Sequence, residues 1–216
     1  MATKTNAGRF FEDYAIGQKL VHAIPRTVSG GERALYHALY PARHALYSSD
    51  EFARLSGLAQ SPLDDLAGFH VVFGKTVPDV SLNAIANLGY AEGLFLRPVQ
   101  VGDTIRSVSE VIGLKQNSNG KSGVVWVRSQ GLNQRDEVVI DYKRWVMVRK
   151  RDFAAAAPET TVPEMAKALR ADQLVIPAGL DFTRYDFALA GEPHRWEDYA
   201  IGEKIDHVDG STIEDA

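Results

Sequence analysis

The 216-residue sequence predicts an α+β fold in which a buried helix is followed by an antiparallel β-meander. Three observations carry that prediction. SPLDDLAGFHVVFGKTVP, Ser61 to Pro78, has a cap, a first-turn proline and apolar residues at helical spacing. From Leu82 onward the apolar period changes to two. Asn119-Gly120 then joins two alternating runs, a strong hairpin signal.

The elements follow in order. Phe10 to Ile24 reads as a short strand–turn unit. TVSGGERALYHALY reads as a helix: Ser29 and Glu32 have capping-box spacing, and Ala34, Leu35, Ala38 and Leu39 give a helical stripe that Pro41 interrupts. SSDEFARLSG supports a second short helix, with Ser48 and Glu51 as its capping box and Gly57 as its stop. In the long helix Ser61 is the expected cap, and Asp64 and Asp65 complement the positive end of the dipole. Leu63, Leu66, Ala67, His70, Val71, Gly74 and Val77 form its stripe, and Pro78 ends it. Phe69, Val72 and Phe73 lie off that stripe, so the helix is expected to be covered on most sides. The strands come from NAIANLGYAEGLFLRPV, DTIRSVSEVIGLKQ, SGVVWVRSQGLNQ and EVVIDYKRWVMVRK. In the last, Val138, Ile140, Tyr142, Arg144, Val146 and Val148 share a face.

After this unit the chain carries Pro158, Pro163, Pro177 and Pro193 with no sustained period, as in a linker ordered in places. Then the opening returns. FFEDYAIGQKLVH near the start and RWEDYAIGEKIDH near the end share EDYAIG, with Lys19/Lys204 and His22/His207 at matching places. The repeat predicts that a second unit begins at Arg195. The expected division is 9–151 for the first unit, 152–194 for the linker and 195–216 for the start of the second, with about 120 further residues in the parent gene on typical domain size.

Composition narrows the function classes. Apolar residues make up 45% and charged residues 24%, as in a globular core. No run approaches the ~18 apolar residues of a membrane span, so no membrane partner is expected. The first residues lack the apolar centre of a signal peptide, which makes the cytoplasm the default compartment. With no cysteine, thiolate chemistry is excluded. A net charge of −4 gives no global field for nucleic acid. The basic run Lys143 to Arg151 is either an anion-attracting patch or a solvated strand end.

The buried helix followed by RPVQVGDTI (Arg97, Pro98, Val99, Gly102, Asp103, Thr104) resembles the MaoC-like hot-dog dehydratases. Within that family FFEDYAIGQ, FHVVFGKTVPDVSLNAIANLGYA, VIGLKQNSNGKSGVV and RWVMVRKRD are similar to the mesaconyl-CoA hydratase (β-methylmalyl-CoA dehydratase) group, across essentially the whole chain. The resemblance implies a hot-dog fold: an antiparallel meander wrapped around a long central helix, here the first unit of a double hot dog. It implies hydration and dehydration of a short branched dicarboxylyl-CoA thioester, with acyl-CoA as the small-molecule partner. No cofactor is implied beyond the coenzyme A of the substrate. It also implies that only the second unit keeps the acid and base, so that this stretch gives scaffold and binding.

In the resembled hydratases an Asp and a His five positions apart, in a D-x-N-P-x-H pattern, share the attacking water, and a backbone N–H at the start of the buried helix polarises the thioester carbonyl. Aligned through DEFA, the matching positions here are Ala42 and Tyr47, neither a competent base. His44 has Leu39 five positions before it, so it forms no such pair. Asp65 and His70 have the spacing, but five steps inside a helix turn them ~140° apart, so they remain low-ranked catalytic candidates. His22 and His207 share a structural place in the repeat, His37 and His194 have no catalytic neighbours in sequence, and no metal is expected. Four residues are candidate substrate contacts: Lys75, Asn83, Asn87 and Tyr90. Lys75 either meets a CoA phosphate or acyl carboxylate, or is a solvated helix end. The two asparagines, four apart on one face, bind ligand or backbone. Tyr90, of opposite parity, lines the site or the core. Two alternatives stay open: a hot-dog thioesterase using Asp64 or Asp65, and a catalytically silent subunit. An exposed sheet edge predicts a homo-oligomer, or pairing with a second hot-dog unit.

Overall fold

The computed structural model of the protein describes residues 6–40, 44–191, 193–207 and 210. A five-stranded antiparallel sheet dominates it. The strands are β1 (Lys19–Thr27), β2 (Ala84–Phe95), β3 (Thr104–Gln116), β4 (Ser122–Leu132) and β5 (Val138–Arg149), in spatial order β1-β3-β4-β5-β2. Alternation explains the strands: in β5 Tyr142, Arg144, Val146 and Val148 are buried while Lys143, Trp145 and Met147 are partly open. The Asn119-Gly120 turn closes the β3–β4 hairpin, with Gly120 at φ +66 and its N–H donating to Asn117 O at 3.0 Å.

Four helices precede or cross the sheet: α1 (Gly30–Leu39), α2 (Ala45–Ser48), α3 (Asp50–Leu55) and α4 (Asp65–Thr76). A fifth, α5 (Phe187–Ala190), lies in the later segment. The Ser29/Glu32 capping box forms as the sequence predicts, with Glu32 N to Ser29 Oγ at 3.2 Å and Ser29 N to Glu32 Oε2 at 2.7 Å. The second box does not. Ser49, not Ser48, caps α3 by accepting from Phe52 N at 3.1 Å.

The long helix differs from its expectation in three ways. Ser61 is not the cap: its N–H and hydroxyl both donate to Asp50 Oδ1, at 2.9 and 2.7 Å, and Leu63 N donates to Val99 O. That pairing keeps 61–64 extended, and Asp64 caps α4 by accepting from Leu66 N at 2.8 Å. Pro78 does not stop the helical path, which continues as a π-helical turn over Val77–Ser81 with the proline in its first turn. The buried stripe is Ala67, Gly68, Val72 and Thr76, rotated from the one expected, and Leu66 and His70 are exposed. The helix packs tightly against β4 because Gly131 has no side chain: a Cβ there would sit 2.4 Å from Val72 Cγ2. Close contact on one face leaves the opposite face of α4 open.

Two apolar clusters result. Phe11, Tyr14, Leu20, Val80, Val111, Val125, Val127 and Val146 fill one end, and Val28, Leu63, Ala67, Val72, Ile105, Val139, Ile140 and Tyr142 fill the space beneath α4. A smaller cluster of Leu46, Phe52 and Ala53 is covered by Leu180, Tyr185 and Ala190. The 152–194 segment is therefore docked in places, also by the Leu114–Thr161 bridge. No helix among the described residues is long and apolar enough to cross a membrane.

Candidate functional site

The start of α4 gathers the titratable groups. His44 caps α2 through Nδ1, which accepts from Leu46 N at 3.2 Å, and its ring lies 5.3 Å from that of Tyr47. The Tyr47 hydroxyl in turn neighbours the Asp65 carboxylate. Burial, then the nearby Asp65, push the Tyr47 phenol far above its usual range. Burial also raises the Asp65 carboxyl, although the Tyr47 hydrogen bond opposes it. His70 is elsewhere: its exposed ring meets Tyr36 at 6.4 Å and Phe69 at 5.8 Å. The structure thus brings Asp65 to Tyr47 and His44 and sends His70 to the other side of the helix. Ala42, the other position in the dyad alignment, lies outside the described residues. An apolar cleft of about 310 Å³ runs between α1 and α4, with Leu35, Tyr36, Ala67, His70 and Val71 in its wall.

The four binding candidates separate. The Lys75 ammonium donates to Ile24 O on β1, and burial lowers its pKa. Asn83 pins the N-terminal arm, with Nδ2 donating to Ala7 O at 2.8 Å and Arg9 O at 3.2 Å. Asn87 and Tyr90, expected on opposite faces, come together at 2.6 Å (Nδ2 to Oη). A register shift between Asn87 and Gly89 is the cause: Asn87 opposes Val146 and Gly89 opposes Trp145, so one extra residue reverses the alternation. Tyr90 then packs edge-on to Phe69 at 5.8 Å and near Phe73 at 6.3 Å.

Beneath these rings lies a group the sequence placed on the inner face of β5 without a role. The Arg144 guanidinium is fully buried, with the Phe73 ring 4.5 Å from it. Nη2 donates to Thr76 Oγ1 at 2.7 Å and Ser81 Oγ at 3.4 Å, while Nε and Nη1 donate to no acceptor among the described residues. The neighbouring Tyr142 hydroxyl lies near Ser129 and Thr76 but forms no hydrogen bond of good geometry with either. A charged residue at an inward position of an otherwise apolar strand was the signal that would have singled Arg144 out.

The His22 contacts are structural. His22 is buried, with Nδ1 2.9 Å from Asp79 Oδ2 and Nε2 2.8 Å from Ser109 Oγ. His207 is exposed. Among the described residues no group of three or more His, Asp or Glu side chains is placed to hold a metal ion.

Comparison with known proteins fits this geometry. The family model described as mesaconyl-CoA hydratase matches residues 1–216. The chain is 71% identical over 213 residues to a mesaconyl-CoA hydratase of Cereibacter sphaeroides, covering 99% of this chain and 62% of that protein. It is 56% identical over 216 residues to a β-methylmalyl-CoA dehydratase of Chloroflexus aurantiacus, covering 100% of this chain and 61% of that one. The chain thus spans less than two thirds of these relatives. A solved MaoC domain protein dehydratase from Chloroflexus aurantiacus superposes with a TM-score of 0.92 at 56% identity, over 99% of this chain and 61% of that one. A double-hot-dog protein of Mycobacterium tuberculosis, 21% identical with a TM-score of 0.62 over 84% of this chain and 56% of its own, shares the fold. The sheet and central helix are a hot dog.

Proposed function

The chain belongs to the mesaconyl-CoA hydratase family, and on that premise we propose that it forms the scaffold and substrate-binding part of a hydro-lyase acting on mesaconyl-CoA and β-methylmalyl-CoA. The observation that carries this reading is the 71% identity, across 99% of the chain, to a protein named for that activity. Hydration adds water across the enoyl double bond. A base takes a proton from water as its oxygen bonds to carbon, an acid delivers a proton to the α-carbon, and donors hold the enolate oxygen.

The described part of this chain offers the third of these needs and lacks the first two. The N-terminal turn of α4 is where backbone N–H groups would hold a thioester oxygen, apart from that of Leu66, which Asp64 Oδ1 already takes. Tyr47, at the histidine position of the resembled pattern, is held protonated by burial. Asp65 faces Tyr47 and His44 rather than His70. Asp64 is spent capping Leu66 N, which disfavours the thioesterase alternative. The acid and base therefore come from a second hot-dog unit, and no cofactor joins the coenzyme A of the substrate. The exposed β2 edge pairs with that unit or with a second copy.

The test follows enoyl absorbance after mixing mesaconyl-CoA with the purified chain, alongside calorimetric titration. Binding with no loss of absorbance is expected. Turnover overturns the division of labour. If His70→Ala then abolishes it, Asp65 and His70 are the site. Release of free CoA selects the thioesterase.

A further inference from the structure

The cleft between α1 and α4 joins apolar walls to an end of positive charge. Ala67 and Val71 line it, and Lys75 stands four residues further along the same ridge of the helix. The facing wall is α1, whose Leu35, Leu39 and Tyr40 are 61%, 60% and 61% exposed, so the cleft opens to solvent. Arg26 of β1 is the one cation of its lining and Glu32 the one acid, and the two are paired with each other. Lys75 adds a surplus positive charge beyond that pair. Its ammonium donates to Ile24 O, two positions before Arg26 on the same strand, and lies close enough to Arg26 to be repelled by it. No carboxylate among the described residues is paired with it. Two cations brought side by side, one with only a carbonyl as partner, suit a ligand group that carries more than one negative charge.

We infer that this cleft holds the pantetheine arm of an acyl-CoA, with the diphosphate at Lys75 and Arg26 and the thioester at the first turn of α4. The inference rests on the acyl-CoA reading above and deepens it by giving the coenzyme a course across this unit. The lengths agree. From Asp65 to Lys75 the helix rises about 15 Å over ten residues. About thirteen bonds separate the sulfur of coenzyme A from its first phosphorus, and at the pitch of an extended chain they also span about 15 Å. A volume of about 310 Å³ suits the arm and leaves the adenosine outside. The walls match the arm chemically. Its methyl and methylene groups pack on Leu35, Leu39 and Val71, while Tyr36, Tyr40 and His70 offer hydrogen-bonding groups to its amides. A short acyl group with a free carboxylate fits the cleft poorly, because the one cation of the lining stands toward Lys75 and away from the thioester end.

The test titrates mesaconyl-CoA and mesaconyl-pantetheine, the same thioester without the diphosphate and adenosine, into the chain. Lys75→Met should weaken mesaconyl-CoA by roughly 5- to 50-fold, the range of a charge-assisted hydrogen bond at a partly exposed site, and leave mesaconyl-pantetheine within about twofold. Leu35→Glu, at an exposed position, should weaken both, because it charges the wall along which the shared arm lies. A lysine that only ties α4 to β1 would give a lower melting temperature and an equal loss for both ligands, which overturns the assignment. Unchanged affinities in Leu35→Glu overturn it as well, and a smaller particle in light scattering would then mark the cleft as a protein interface. Either result leaves the acyl-CoA reading standing. Binding of neither thioester by the wild type overturns both. Should Lys75→Met fail to fold, the ring resonances of Tyr36 and Tyr40 in the wild type decide. They must shift with mesaconyl-pantetheine, and unmoved resonances refute the inference.

Discussion

His22 shows how burial sets a charge state. It is enclosed between Asp79 and Ser109, and loss of solvent lowers its pKa below the ordinary 6.5 although Asp79 pulls the other way. A histidine with a depressed pKa binds fewer protons folded than unfolded. Its contribution to stability is present above the unfolded value of 6.5 and is lost as pH falls through the folded one. The melting temperature should therefore drop between about pH 7 and 5, and His22→Asn should flatten that slope; an unchanged slope counts against the assignment. Asp79 adds a second loss at lower pH. Burial pushes its carboxyl up, but the hydrogen bonds from His22 and Arg9 outweigh that and hold it below 3.8. Asp65 has the opposite sign. Its raised pKa means folding disfavours its ionised form, so its contribution is present below 3.8 and is lost as pH rises through the folded value. Asp65→Asn should raise the melting temperature at pH 7, with the gain vanishing as pH approaches 4. A loss at pH 7 would show that the Tyr47 hydrogen bond outweighs desolvation.

The central helix and its sheet depend on one close approach. A methyl on Gly131 would meet Val72 Cγ2 at 2.4 Å, so Gly131→Ala should destabilise by about 1–3 kcal/mol as overpacking. Val72→Ala opens a void at a fully buried position, on the order of 2 kcal/mol. Combined, the two changes remove two methyls from the helix and add one on the strand across the same gap, and their costs should add to less than the sum in chemical denaturation. Strict additivity would mean the helix rides on some other contact. The same element shows what was legible beforehand. Periodicity located the helix, the meander holds for β3, β4 and β5 only, since β2 crosses to pair with β5 at the edge instead of with β3, and the Ser29/Glu32 box was readable because its partners lie three residues apart. Ser61 misled because its hydroxyl is claimed by Asp50, eleven positions away in sequence, and no local rule weighs that competition. The rotated stripe arose likewise, since the facing glycine sits on β4. Asn87 and Tyr90 met against the rule of alternation because the β2 bulge depends on pairing with β5. At the candidate site, the sequence showed an arginine facing inward, and only tertiary packing could show that its charge is unanswered.

At the scale of the molecule, the exposed face of α4 and the β2 edge carry Leu66, Leu82, Ile85, Leu88 and Tyr90, all at least 41% exposed. Exposed apolar side chains beside an unpaired edge favour association, so light scattering at micromolar concentration should report a dimer or larger. The repeated motif gives a sharper test of how local sequence and tertiary seat divide the work. Both copies fold alike. Phe11–Asp13 and Trp196–Asp198 are 3-10 turns, Asp13 and Asp198 accept from the N–H of Phe10 and Arg195 at 2.9 and 2.7 Å, and Gly17 and Gly202 take φ +78 and +83. Six identical residues suffice for the turn. Their aromatics then part company. Phe11 is fully buried against Gly123, where a Cβ would come within 2.2 Å of the ring, whereas Trp196 is 92% exposed. Phe11→Ala should cost about 3–5 kcal/mol, a large part of the stability of an ordinary domain. Trp196→Ala should change the stability of this chain by less than about 0.5 kcal/mol. Equal costs would place the energy in the turn itself, since the turn is the part the two copies share. Unequal costs place it in the seat: the glycine-lined gap on β4 that Phe11 enters and that Trp196, in this chain, does not.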